Sequence, residues 1–421
     1  MPVVKYAAMT EAPSVRAGAL TLRSSVAARA ALVLGLAAAP IGCDRGKGPL
    51  GPPDSYVVYE PDPGAPSAGA QAPRAMRPVA VEDPRAAPIH RAATDGFLGE
   101  MLRTDYLAKA LLRAGVAGKP FSPVAQARAG EPTVLVLAGP RAARSEEATL
   151  GVGVELAASF GRKKVDPNPM WIEVGDDPVS DPAFVQTASG RIGRLVAERV
   201  AGCMGAAPAE LPRALVDGYA LAMEVIGREW RVGEGPMGRV APDAGTGTQR
   251  ERFAAVRQNS FVFKPDTQLL RPAAEIVNDS GVVAALIYRM AQSKGVGRKV
   301  APDDIYAPIV KDRVPPGVSP AAVLGPVRNF QVKLLTAWAR AIAAGHAPRD
   351  LVDLVAAYGE ALPGERAEAT RLFVVTTYGA TVKAGGVSAA PADATASLAE
   401  LTALAAEVAA GRKTMREGMH P

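Results

Sequence analysis

Apolar residues recur at helical spacing over most of the chain beyond residue 93, and this pattern predicts a mainly helical protein. One stripe covers 97–112 and ends at Gly115 and Gly118, which are typical helix terminators. Two short apolar runs, 133–138 and 170–174, predict buried strands. The helical periodicity also predicts helices over 189–204, 209–230, 280–293, 319–345 and 347–362 and from residue 397 onward.

Three segments are less clearly patterned. Residues 145–160 predict a helix with two glutamates at its start, and residues 260–264 predict a strand or an extended segment across a cleft. Residues 365–378 suit a helix, although the run 372–376 would equally suit a strand. Helices still outnumber strands, so the expected fold class is mainly α, or α+β. We expect a multi-helix globular domain with a few short strands.

The same patterning suggests boundaries along the chain. Residues 231–258 are polar and rich in Gly and Pro, which predicts a loop or linker between helical lobes at 93–230 and 259–421. Residues 43–92 lack periodic apolar positions and repeat Pro and Gly, which predicts a flexible tether. A coil of about 50 residues would span roughly 40 Å. Within it, only residues 56–59 could dock locally.

Charge and chemistry narrow the function. The 421 residues carry 48 Lys and Arg against 42 Asp and Glu, a balance that does not predict a nucleic-acid partner. The only histidines are His90, His346 and His420, too few for a histidine-based metal site, and His346 suits a helix C-terminus. P-loop, Gly-x-Ser-x-Gly and complete dinucleotide motifs are absent from the sequence. We therefore predict no cofactor and no metal, and the catalytic residues stay unknown.

An apolar run near the start of the chain ends in a cysteine. Residues 30–43 read Ala-Ala-Leu-Val-Leu-Gly-Leu-Ala-Ala-Ala-Pro-Ile-Gly-Cys, and arginines lie upstream. Residues 16–43 thus resemble the signal segment and lipobox of bacterial lipoproteins, although Pro40 stands where that family usually has an aliphatic residue. The resemblance implies that 1–42 is a signal peptide and that Cys43 is lipidated. A plain cleavable signal and an ordinary Ala-rich helix are the alternatives, and a start at Met9 would give a signal of more ordinary length.

A second resemblance concerns two of the predicted helices. Residues 195–201, Leu-Val-Ala-Glu-Arg-Val-Ala, and 211–218, Leu-Pro-Arg-Ala-Leu-Val-Asp-Gly, are similar to the paired helices of gluzincin metallopeptidases. The match places Ala197 and Ala201 at the two zinc-binding histidine positions. It also places Glu198 at the general base and Asp217 at the third ligand. Because alanine cannot bind zinc, the resemblance implies an inactive relative that retains a peptide-binding cleft.

The other interpretation of these helices is that they are ordinary Ala-rich helices. Glu198 and Asp217 would then be surface charges paired with Arg194 or Arg213. The remaining cysteine, Cys203, lies in an apolar stripe and is expected to be buried.

Together these features predict a membrane-anchored cell-envelope lipoprotein that faces the periplasm or the exterior. The membrane is reached through the lipid on Cys43, and the partner is an envelope protein, a peptide or a cell-wall component. We expect a non-catalytic binding or structural module. The alternatives are the inactive peptidase relative and a hydrolase that uses a carboxylate pair.

Overall fold

The computed structural model describes a set of segments that all belong to one compact unit, residues 43–421. The predicted signal segment, Cys43, His420 and the helices expected at 145–160 and from residue 397 lie outside the described residues. The described segments are 56–61, 76–80, 82–87, 89–90, 93, 97–116, 119–129, 133–138, 170–173, 182–233, 247–267, 269–310 and 320–380.

Helices dominate this part of the chain, which confirms the predicted mainly α fold. In chain order they are α1 (Phe97–Ala114), α2 (Pro123–Ala129), α3 (Pro182–Ala201), α4 (Arg213–Gly233), α5 (Gly247–Gln258), α6 (Ala273–Val277), α7 (Ser280–Gln292), α8 (Asp303–Val310), α9 (Pro320–Ala343), α10 (Leu351–Ala361) and α11 (Arg366–Thr376). Within the described residues, no helix is long and apolar enough to cross a membrane.

Four short strands form one sheet beside the helices. They are β1 (Tyr56–Pro61), β2 (Met76–Pro78), β3 (Thr133–Ala138) and β4 (Met170–Glu173), in the order β2-β1-β3-β4. β1 runs parallel to β3, with Tyr56 opposite Thr133, and β3 runs parallel to β4. β2 closes the edge in the antiparallel direction. The two strands predicted from their apolar runs are therefore neighbours at one side of the sheet.

The first two strands correct the expectation that 43–92 is a flexible tether throughout. Val58 and Tyr59 are buried, and the carboxylate of Glu60 pairs with Arg77 at 2.6 Å and with Arg85 at 2.8 Å. Burial alone would raise the pKa of Glu60, but hydrogen bonds from Arg85 and Arg77 outweigh it and lower that pKa. The parallel partner of β1, β3, lies more than 70 residues further along the chain, so local composition could not reveal this pairing.

The region around residues 231–264 also differs from expectation. α5 occupies 247–258 of the expected linker, and its Val256 is fully buried. Residues 260–262 form a single 3₁₀ turn rather than a strand, after Asn259 in the left-handed conformation at φ 55°. Residues 366–376 are helical, which resolves the helix-or-strand ambiguity there.

The core is continuous across the expected boundary between lobes, because α4 packs against α3 on one side and against α7 on the other, in both cases through glycines. A Cβ at Gly193 of α3 would lie 2.9 Å from Met223 of α4, and one at Gly218 would lie 2.5 Å from Val283 of α7. Glycine thus allows these helices to approach more closely than larger residues would. The described helices on both sides of residue 231 share one hydrophobic cluster.

A buried ion pair holds the loop after α7. The Nζ of Lys333 on α9 lies 2.9 Å from both carboxylate oxygens of Glu365 and donates to the carbonyl of Lys299 at 2.8 Å. Tyr358 donates a hydrogen bond to the same carboxylate at 2.6 Å. Burial lowers the pKa of Lys333. Burial, and then the charge of the nearby Glu365, raise the pKa of Tyr358. Each charge is compensated, as a buried pair requires.

Substitution of Gly218 by alanine tests the close approach of α4 and α7. We expect Gly218→Ala to lower the free energy of unfolding by about 2–3 kcal/mol, because the new methyl group overlaps Val283 and the carbonyl of Ser280. Gly364→Ala is the matched control, since its nearest atom is the Lys299 ammonium at 3.5 Å. Chemical denaturation would measure both, and equal stabilities would contradict the packing argument.

Candidate functional site

The structure brings the two predicted site residues together on adjacent helices. Glu198 lies on α3 and Asp217 on α4, and Arg194, one turn before Glu198, lies against both. Its Nη2 is 2.8 Å from Oδ1 of Asp217, and its Nη1 is 3.9 Å from Oε1 of Glu198. Of the two arginines suggested by the sequence, Arg194 is the one that pairs with both carboxylates.

The guanidinium occupies the space on which both carboxylates converge. A carboxylate pair that works as acid and base needs a substrate or a water between its two members. A pair that helps to bind a metal needs the metal there. Arg194 supplies a partly exposed positive charge at that point instead. As the side chains are 39% (Arg194), 25% (Glu198) and 38% (Asp217) exposed, solvent screens the pairs and each contributes under about 1 kcal/mol.

The two alanines at the expected histidine positions face inward. Ala197 is fully buried and Ala201 is 7% exposed, and both belong to the hydrophobic core. They therefore lie on the packed side of α3, whereas Arg194 and Glu198 reach solvent. The methyl groups at these positions contribute to the core.

A buried carboxylate fixes α3 and hence the position of the site. Asp105 of α1 is fully buried, and its Oδ1 pairs with Arg199 of α3. Its Oδ2 accepts a 2.6 Å hydrogen bond from the hydroxyl of Thr133 on β3 and lies 3.0 Å from Nζ of Lys109. Lys109 also donates to the Thr133 hydroxyl at 2.9 Å. One carboxylate thus joins two helices and the sheet.

This cluster was missed by sequence reasoning, although one signal for it exists. Asp105 and Lys109 stand four residues apart within the apolar stripe of α1, at the spacing of a helical ion pair. Charges embedded in such a stripe are typical of buried pairs. The pairing with Arg199, 94 residues away, is not readable from spacing. Burial lowers the pKa of Arg199 to about 10.

The thiol of Cys203 and the histidines His90 and His346 lie where they contribute to the fold. Cys203 is buried, as predicted, and burial raises the pKa of its thiol to about 12. His90 lies 2.6 Å through Nδ1 from the hydroxyl of Tyr56 on β1. His346 donates its backbone N–H to the carbonyl of Ala341 just after Gly345 at φ 86°, which fits the predicted place at a helix end.

Among the described segments, the His, Cys, Asp and Glu side chains form no group of three that could hold a metal ion. Comparison with known protein families, with characterised proteins and with solved structures finds no match. The resemblances to bacterial lipoproteins and to gluzincin helices therefore stay predictions.

Substitution of Asp105 and of Asp217 by asparagine tests whether a buried ion pair contributes more to stability than an exposed one. Asp105→Asn should lower the free energy of unfolding by about 3–5 kcal/mol, because Arg199 and Lys109 stay buried without their carboxylate. Asp217→Asn should lower it by under about 1 kcal/mol, because its pair with Arg194 is exposed. Urea denaturation measures the two variants. Equal losses would show that burial does not distinguish these pairs.

Proposed function

We propose that the protein is a membrane-anchored lipoprotein of the cell envelope whose helical domain binds a partner without catalysis. The observation that carries this proposal is the apolar run of residues 30–42 ending at Cys43. Its length is that of a signal h-region and falls short of the roughly 20 residues that span a bilayer. The anchor places the domain in the periplasm or at the cell exterior.

The surroundings of Glu198 and Asp217 favour binding over catalysis. Arg194 lies between the two carboxylates, and Ala197 and Ala201 have small, inward-facing side chains. The partly exposed charges of Arg194, Glu198 and Asp217 suit polar contacts with an envelope protein, a peptide or a cell-wall component. The nearly balanced net charge does not suggest nucleic acid.

A second candidate is the inactive relative of a zinc metallopeptidase that keeps a peptide-binding cleft. It is favoured by one observation, the contact of Glu198 and Asp217 with the same arginine across two adjacent helices. The third alternative, a hydrolase with a carboxylate pair, is less well supported because Arg194 occupies the intervening space. Partner binding without hydrolysis is common to the first two candidates.

Substitution of the two cysteines tests the anchor. Cys43→Ala should abolish labelling by a fatty-acid probe and release the protein from membranes, because the thiol is the site of lipid attachment. Cys203→Ala is the matched control, since that thiol is buried and should not affect labelling. Metabolic labelling and membrane fractionation give the readouts. Undiminished labelling of the Cys43→Ala protein would overturn the anchor.

An assay of peptide hydrolysis tests the absence of catalysis. The purified full-length protein should leave a peptide library uncleaved, with or without a chelator, because Arg194 pairs with both candidate carboxylates. Chelator-sensitive cleavage that Glu198→Gln removes would overturn this part of the proposal. Glu251→Gln, at an exposed position of α5, is the control for a nonspecific effect of losing one carboxylate.

A further inference from the structure

The position of β1 limits how far the folded domain can lie from the membrane. β1 begins at Tyr56, thirteen residues after Cys43. Thirteen peptide units reach at most about 45 Å, and a coil of that length would average about 20 Å. The 50-residue tether expected from sequence could reach over 100 Å in a polyproline-like form. Because β1 is part of the fold, the available reach is less than half of that.

Tyr56 is joined firmly to the helical body. It pairs with Thr133, whose hydroxyl binds Asp105 and Lys109 of α1. Its own hydroxyl lies against His90. The end of the strand that receives the chain from Cys43 is therefore adjacent to α1, and a short connection brings this side of the domain toward the lipid.

α1 also carries an arginine and a tyrosine, Arg113 and Tyr106, that lie against each other. Tyr106 and Arg113 lie two turns apart on one side of α1, and the buried Lys109 lies between them in sequence. The Arg113 guanidinium lies 5.7 Å from the centre of the Tyr106 ring, and Arg113 is exposed. Tyrosine and arginine are suited to a membrane interface, because each combines an apolar body with a polar tip. A guanidinium is also complementary to anionic lipid headgroups.

We propose that the side of the domain formed by the start of β1 and by Tyr106 and Arg113 of α1 rests on the headgroups of the bilayer that holds the lipid on Cys43. This proposal rests on the proposed anchor. In this orientation the folded domain itself contacts the lipid surface, in addition to the acyl chains that insert into it. The domain then works at the surface of its own membrane, and not at a distance from it on a long flexible tether.

Fluorescence quenching by headgroup-labelled lipid tests this orientation. The acylated full-length protein, purified from membranes, is incorporated into vesicles of phosphatidylcholine, with or without phosphatidylglycerol. A thiol-reactive fluorophore is placed at Ala87→Cys or at Ala344→Cys. Both positions are exposed alanines. Cys203 is buried and Cys43 is acylated, so neither competes for the fluorophore.

Ala87 adjoins the proposed contact, whereas Ala344 follows a helix that does not form it. Ala87 lies three residues before His90, which contacts Tyr56. Ala344 lies beyond the end of α9, thirteen residues or about 20 Å from Gln331, where α9 contacts Thr104 of α1. Quenching should therefore be severalfold stronger at Ala87→Cys than at Ala344→Cys. Insertion of about 24 Gly and Ser residues before Tyr56 should reduce this difference, because it lengthens the connection.

A charge reversal tests the headgroup contact itself. Arg113→Glu should reduce quenching at Ala87→Cys, and the loss should be larger in vesicles that contain phosphatidylglycerol. Equal quenching at the two labels, or no response to Arg113→Glu, would overturn the orientation while the protein still floats with vesicles. Failure of the acylated protein to float would overturn the anchor itself. The two failures are therefore distinguishable.

Discussion

The described fold depends on the buried carboxylate of Asp105. Three elements distant in sequence meet there: α1 through Asp105 and Lys109, β3 through Thr133, and α3 through Arg199. A buried charge is tolerated only where its partners are in place, so a displaced α3 or a shifted β3 would leave charges uncompensated. Apolar packing alone would tolerate small shifts of these elements more readily. The cluster thereby fixes the position of the sheet against the helices.

The same helix carries a second arginine in a very different environment. Arg194 and Arg199 are both on α3 and both pair with aspartate, but Arg194 is 39% exposed and Arg199 only 8%. The exposed pair is screened by water and adds little to stability, so residues there can vary without loss of the fold. The buried pair cannot vary in this way. The solvent-facing side of α3 is thus the side on which a binding specificity can change.

Sequence patterns predicted those parts of the fold whose stability is local. The helix predicted over 280–293 is observed as Ser280–Gln292, where Asp279 caps the N-terminus by accepting hydrogen bonds from the N–H groups of Gly281 and Val282. The strand at 133–138 has its predicted bounds because an apolar run with β-branched residues is a local signal. β1 was expected only as a patch at 56–59 that could dock locally, since its parallel partner β3 lies far along the chain and its flanks are rich in Pro. α5 was missed because only Val256 is fully buried among its residues 251–258, which leaves almost no apolar stripe.

The sequence predicted which residues form the candidate site, but not how their side chains interact. The resemblance to paired gluzincin helices singled out Glu198 and Asp217 on successive helices, and Arg194 or Arg213 was expected to pair with them if they were surface charges. What spacing could not show is that α3 approaches α4 through Gly190 and Gly193, or that Ala197 is fully buried. A histidine at 197 would have to enter the core, which is packed too densely to accept it without rearrangement. The helix pair therefore could not become a zinc site by replacing these alanines alone, since the closeness of the two helices depends on the small residues that face inward.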